Sequence, residues 1–194
     1  MTFSILVREG ENFGVAVASG STSVGERVPW AERGVGAVAT QGLTETSYGP
    51  KGLELLRKGV KPEECLKRLL ERDSGRELRQ VLILGMGGAA AHTGSRCLPF
   101  AGHLAGEDFL CGGNFLAGER VLRAMVAGFR SGGSPIQRLL AALREGAKAG
   151  GDRRGERSAA ILYATRRLLR FEVRDSEDPI SELAKMVKAS SEIL

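Results

Sequence analysis

Helical periodicity in this chain arrives in pairs. Leu53, Leu56 and Val60 recur at helical spacing, and Cys65, Leu66, Leu69 and Leu70 follow at once, with Pro62 in the first turn of the second segment. A second pair runs from Phe115 through Leu116, Val121, Leu122, Met125 and Val126, then, behind a Ser134 cap and an early Pro135, through Ile136, Leu139, Leu140 and Leu143. Only strand signals separate the pairs. A doubly wound parallel sheet needs single helices after single strands, so it is excluded. The order predicted is sheet, two helices, sheet, two helices, sheet, helix, which makes an α+β protein of antiparallel sheet covered by helices.

The strands sharpen that picture. Residues 2–8 alternate Phe3, Ile5 and Val7 against Thr2, Ser4 and Arg8, and GVAVAS at 14–19 completes a hairpin. Further strands are predicted at 35–41, 80–85, 89–94 and 107–113, with a last hairpin from 158–164 and 168–174. His103 falls in a loop between them. GVAVAS and SAAILYA are apolar on both faces, as expected where two sheets stack and each carries helices on its outer side. No repeat or linker divides residues 1–194, so one domain is expected, with a C-terminal helix at about 178–194 packed on it.

At 194 residues, 42% hydrophobic and 26% charged, the chain can bury a core of its own. No apolar run reaches about 18 residues and no basic flank precedes one, so a cytoplasmic protein without a membrane partner is expected. Cys65, Cys97 and Cys111 form no CxxC pair, and with His92 and His103 they make no metal-ligand spacing, so reduced thiols and no metal are expected. The net charge of +5 suggests nucleic acid, but the basic residues are interleaved with 23 acids, and one Trp and two Tyr offer little stacking surface. A solvated basic surface is the better reading. Two Asn and three Gln are few, a composition met in thermophiles.

Nucleotide and serine-hydrolase signatures are missing. GVGAVA at 34–39 and GMGGAA lack the strand-to-helix context of a dinucleotide loop, and neither GxxxxGK[ST] nor GxSxG occurs. No cofactor is expected. Thr2 is the exception, because its chemistry needs only its position. Once Met1 is removed, its hydroxyl and an α-amino group of pKa about 7.7–8.0 lie on one residue and supply nucleophile and base together. CGGN at 111–114 offers backbone N–H groups of Gly112 and Gly113 to a developing oxyanion, and GGDRRGERSAA brings Asp152, Arg153 and Ser158 before a core strand, where a carboxylate and a hydroxyl would orient a terminal ammonium.

MTFSI, GVAVASGS, VPWAERGVGAVATQG, SYGPKGLELL, RQVLILG, AAHTGSRC, AGHLAGEDFLCGGNFLAG and GGDRRGERSAAIL together resemble the DUF1028 family, grouped with the N-terminal-nucleophile hydrolases, over roughly residues 1–175. The resemblance implies a four-layer αββα sandwich. It implies Thr2 as nucleophile and base, Gly113 as an oxyanion donor, and Asp152 with Ser158 as orienters of the amino group; Asn114, next to Gly113, is expected to help hold the oxyanion. The proteolytic members use an Asp near the end of the second strand and a Lys before the third. Here Ser19, Gly20 and Ser21 stand at the first place, no Lys precedes Lys51, and Arg27 and Arg33 cannot act as bases.

The expectation is therefore a hydrolase of a small-molecule amide, working through an ester on Thr2, and not a processive protease. Ser19, Ser21, Gln41, Thr44, Tyr48, His92 and Arg153 are the expected pocket residues, since they sit where strands end and loops begin. A homo-oligomer is compatible with this reading. The alternative is a catalytically silent binding or scaffold protein on the same fold; nucleic-acid binding ranks below both.

Overall fold

The computed structural model describes residues 2–191, so Met1, whose removal the Thr2 chemistry requires, and the last residues of the expected C-terminal helix, 192–194, lie outside the described residues. In chain order the elements are β1 (Thr2–Glu9), β2 (Asn12–Ser19), β3 (Pro29–Glu32), β4 (Gly36–Gly42), α1 (Tyr48–Arg57), α2 (Pro62–Leu70), β5 (Arg79–Gly85), β6 (Gly88–Thr93), β7 (Gly102–Ala105), β8 (Phe109–Asn114), α3 (Arg120–Phe129), α4 (Pro135–Lys148), β9 (Ser158–Ala164), β10 (Leu168–Val173) and α5 (Pro179–Ser191). The helices come in the two predicted pairs, α1 with α2 and α3 with α4. Ser134 and Gln137 form a full capping box in front of Pro135, so two donors that α4 would leave bare are satisfied reciprocally.

Two antiparallel sheets stack face to face. One has the order β10-β9-β2-β1-β8-β7 and the other β3-β4-β5-β6. Phe3, Ile5 and Val7 point from β1 to the helical layer of α3, α4 and α5, joining Leu122, Met125, Leu139 and Leu143. Leu6, Val15, Val17 and Leu110 point the other way and meet Ala37, Ala39, Leu82 and Leu84 of the second sheet. Val38, Val81 and Ile83 then pack under α1 and α2 with Leu53, Cys65 and Leu69. Three apolar interfaces thus separate four layers, α, β, β and α, and each fully buried aliphatic or Phe side chain contributes roughly 1.5–3 kcal/mol. The strands apolar on both faces, β2 and β9, neighbour one another inside the larger sheet, where burial on both sides requires that composition.

Three local expectations need correction. His103 lies in strand β7, paired with Gly112, and not in a loop. The helix expected from Phe115 begins at Arg120, because Phe115 is left-handed (φ 58°) and Leu116 bridges to Asp152. Strand β3 was not foreseen: Pro29 and Trp30 begin a four-residue edge strand that pairs with β4.

Candidate active site

The faces of the strands fix what gathers at one end of the sandwich. On β1 the even-numbered residues Thr2, Ser4 and Leu6 look toward the second sheet. Thr2 is paired on one side with Ser19 of β2 and on the other with Asn114 of β8, and Ser19 is paired with Ser158 of β9. Directly paired residues share a face, so Asn114, Thr2, Ser19 and Ser158 form one polar row across four adjacent strands. All four are buried, Thr2 being 5% exposed. Below this row and Ser4 the inter-sheet space is apolar.

The second sheet answers with amides. Ser4 Oγ donates to Gln41 Oε1 (3.0 Å), Gln41 Nε2 donates to Gln80 Oε1 (2.9 Å), and Asn114 Nδ2 donates to the same oxygen (3.0 Å). Gln80 Nε2 lies within 2.9 Å of Thr93 Oγ1 and the Gly102 carbonyl and 3.0 Å of the Gly113 carbonyl. Thr93 Oγ1 is 3.0 Å from His103 Nδ1. Since that hydroxyl already accepts from Gln80, its own proton is free for Nδ1, which fits a neutral imidazole. Partial burial, followed by the charge of nearby His92, lowers the His103 pKa in the same direction. Gln41 and Gln80 are fully buried, yet both amide ends are engaged, as buried polar groups must be. Of five side-chain amides in the chain, three belong to this network.

Thr2 Oγ1 donates to Ser19 Oγ (3.1 Å), which also accepts Ser21 N–H (3.1 Å) and thereby fixes the turn that leaves β2. Ser158 serves that same turn: it donates to the Ser21 carbonyl (2.6 Å) and accepts Val24 N–H (3.1 Å). With Ser19 between them, Ser158 stands two strand spacings, about 10 Å, from Thr2. The Asp152 carboxylate is fully enclosed. It accepts Gly20 N–H at 2.8 Å and is clasped by the Arg154 guanidinium at 3.0–3.2 Å. Arg154 was missed from sequence; Arg153 instead lies over the Phe115 ring, 5.5 Å from its centroid.

Gly113 stands inside the sheet between Phe3 and Gly102, so its N–H faces a neighbouring strand. Asn114, by contrast, carries a second amide hydrogen beyond the one given to Gln80. Tyr48 donates to Asp73 (2.6 Å), and burial, followed by this neighbour, raises its pKa strongly. His92 meets the Arg76 carbonyl on the outer face of β6 (2.9 Å). Thr44 lies in the half-buried loop between β4 and α1. Arg27 donates to the Thr22 carbonyl and Arg33 pairs with Glu11, so neither brings charge to Thr2.

A cavity of about 270 Å³ opens beside this row, lined by Gly42, Leu43, Leu78, Cys97, Leu98 and Asn114, with Arg96 at its rim. Gly42 (φ 81°) makes the turn out of β4 that forms one wall, and a Cβ there would lie 2.6 Å from the Leu78 carbonyl. A larger cleft of about 470 Å³ lies at the other end of β4 and β5, between Val35, Leu56, Pro62 and Met86, far from the polar row. Among the described residues no three His, Cys, Asp or Glu side chains gather as metal ligands, and no helix is long and apolar enough to cross a membrane.

Stacked antiparallel sheets between two helical layers, with a buried threonine on a central strand of the larger sheet, make this chain a four-layer αββα sandwich. The chain belongs to the family of unknown function DUF1028, whose model matches residues 2–183. The crystal structure of a protein of that family from Silicibacter pomeroyi has 33% sequence identity and a TM-score of 0.92, over 98% of this chain and 86% of that one. Thiobacillus denitrificans BPH, alone and in complex with epoxomicin, is 14% identical with TM-scores of 0.41 and 0.39, over 91% and 90% of this chain and 100% and 99% of that one. So remote a likeness adds nothing to the fold seen in the family member. A search of curated proteins gives no match.

Proposed function

We propose that the chain is an N-terminal-threonine amidohydrolase acting on a small amide after Met1 has been removed. The observation that carries the reading is the burial of Thr2 in a row of neutral polar side chains, its hydroxyl bonded to Ser19, next to a ligand-sized cavity. Ser19, which accepts from the Thr2 hydroxyl, and the adjoining Ser4, Gln41, Gln80 and Asn114 cannot take a proton at neutral pH, which leaves that task to an α-amino group on Thr2 itself. Thr2 Oγ attacks the amide carbon and its proton passes to the α-amine, directly or through one water. The C–N bond breaks as that proton moves to the leaving nitrogen, and an ester remains on Thr2. Water then attacks the ester with the amine again as base, the acid departs, and the hydroxyl is restored. In this reading the second Asn114 amide hydrogen serves the oxyanion, and Asp152, through Gly20, holds the turn after β2 in place.

Two measurements test it on untagged protein. Intact mass must show Met1 absent, and a β-lactone or epoxyketone probe must add its mass at residue 2 and lose that reactivity in Thr2→Ala. Retained Met1, or no adduct, removes the hydrolase reading and leaves a binding protein on this fold.

A further inference from the structure

The cavity beside Asn114 carries two features that the chemistry at Thr2 does not use. Leu43 and Leu98 are 58% and 48% exposed at its mouth, an expense of apolar surface in water that their neighbours do nothing to relieve. Their backbones are nevertheless held. Leu43 N–H donates to the Leu78 carbonyl (2.9 Å), the Arg79 guanidinium donates to the Leu43 carbonyl, and Phe115 N–H donates to the Leu98 carbonyl (2.8 Å). Arg79 is itself fixed by Asp73 (2.9 Å), and the Cys97 thiol donates to the Arg79 carbonyl (3.3 Å). These walls are a preorganised surface and not a loose loop. The second feature is Arg96, exposed at the rim, whose guanidinium has no carboxylate within ion-pair distance among the described residues.

A leucine-lined recess with the Arg96 guanidinium at its edge fits a particular ligand chemistry. We infer that this cavity is the substrate subsite for a short aliphatic chain bearing a carboxylate, with the chain between Leu43, Leu78 and Leu98 and the anionic end at Arg96. Its volume lies just under the roughly 300–1,000 Å³ of drug-sized sites, which favours a chain of a few carbons. Asn114 belongs both to the cavity wall and, as the ladder partner of Thr2, to the polar row, so a ligand seated here ends beside the nucleophile. The assignment of the ligand as substrate rests on the hydrolase reading; its binding does not.

The test uses Thr2→Ala protein, which cannot turn a ligand over, with hexanoate and its neutral isostere hexanamide as probes followed by amide chemical shifts. Hexanoate is expected to shift the Leu43, Leu98 and Asn114 amides saturably at millimolar concentration and to bind about two- to fivefold more tightly than hexanamide, the scale of an exposed ion pair. Arg96→Ala should erase that preference, and Leu98→Glu should abolish binding; both positions are exposed, so folding is not at stake. Shifts confined to other residues, or none, overturn the subsite, and equal binding of both probes overturns the part given to Arg96. A subsite that binds hexanoate in a protein whose Thr2 resists β-lactones sinks only the hydrolase reading, whereas a labelled Thr2 with silent leucine amides sinks only the subsite.

Discussion

Replacing Gln80 by Leu tests whether the amide network holds the two sheets in register with each other. Leucine has nearly the volume of glutamine, so the substitution opens no cavity of consequence and isolates the hydrogen bonds. Gln80 Oε1 accepts from Gln41 Nε2 and Asn114 Nδ2, both on buried residues, and the substitution takes that acceptor from both donors. A buried donor left unsatisfied costs about 1–3 kcal/mol, so the pair alone predicts a loss of about 2–6 kcal/mol. The Gly102 and Gly113 carbonyls have ladder neighbours and add little to that figure. Urea unfolding at constant slope reads the loss directly. Gln41→Leu should cost less, and the double variant should cost less than the sum by more than about 0.5 kcal/mol, because the second substitution removes one of the stranded donors. A Gln80→Leu loss under about 1 kcal/mol, or strict additivity, would show that water or side-chain rearrangement satisfies these groups and that the network does not tie the sheets.

Gly49→Ala should destabilise by about 1–3 kcal/mol, since the added Cβ would lie 2.2 Å from the Trp30 ring; Trp30 is the one tryptophan, so a red shift of its emission reports the indole leaving its place. His103 has a folded pKa below its ordinary value of 6.5, so the unfolded chain binds the proton more readily, and stability should fall as pH drops from about 6.5 toward the folded pKa. His103→Gln should flatten that slope in urea midpoints between pH 5 and 7, and an unchanged slope would assign it elsewhere. Asp73 has its pKa lowered to about 2, chiefly by Arg79 and also by Tyr48, against an unfolded value of 3.8. Its contribution is present above the unfolded value and lost as pH falls through the folded one, so Asp73→Asn should remove acid sensitivity between about pH 4 and 2.

The parts of this fold that show in the sequence are those governed by local period. The paired helices, the β1–β2 hairpin and the two-faced strands β2 and β9 follow from spacing alone. The misses have physical reasons. Strands β3 and β7 have four residues each, too few for alternation to register, and they exist because β4 and β8 offer them an edge. Phe115 carries an apolar side chain in helical phase, but its left-handed backbone delays α3 to Arg120, and no periodicity reveals a single dihedral angle. Of the residues that meet in the polar row and its amide network, Thr2, Asn114, Ser19 and Gln41 stand out in the sequence because they lie at strand ends. Gln80 and Thr93 were not, since their role depends on which sheet faces which. Arg153 and Arg154 differ by one position in a turn, and only the turn geometry decides which one clasps Asp152.

The polar row has a consequence for how the chain finds its fold. Strands β1, β2, β8 and β9 each carry one hydrophilic residue toward the second sheet at a single level, and β4 and β5 carry Gln41 and Gln80 to meet them. A slip of one residue would turn Ser4 and Thr2 into the helix-facing core and drive Phe3 against the amides. A slip of two between β1 and β2 would keep the face but part Thr2 from Ser19, in one direction setting it opposite Val17, and carry Ser4 away from Gln41. The row therefore acts as a tooth at the end of a key, which makes misaligned pairings of otherwise interchangeable Val, Ala and Leu strands costly before any ligand is met.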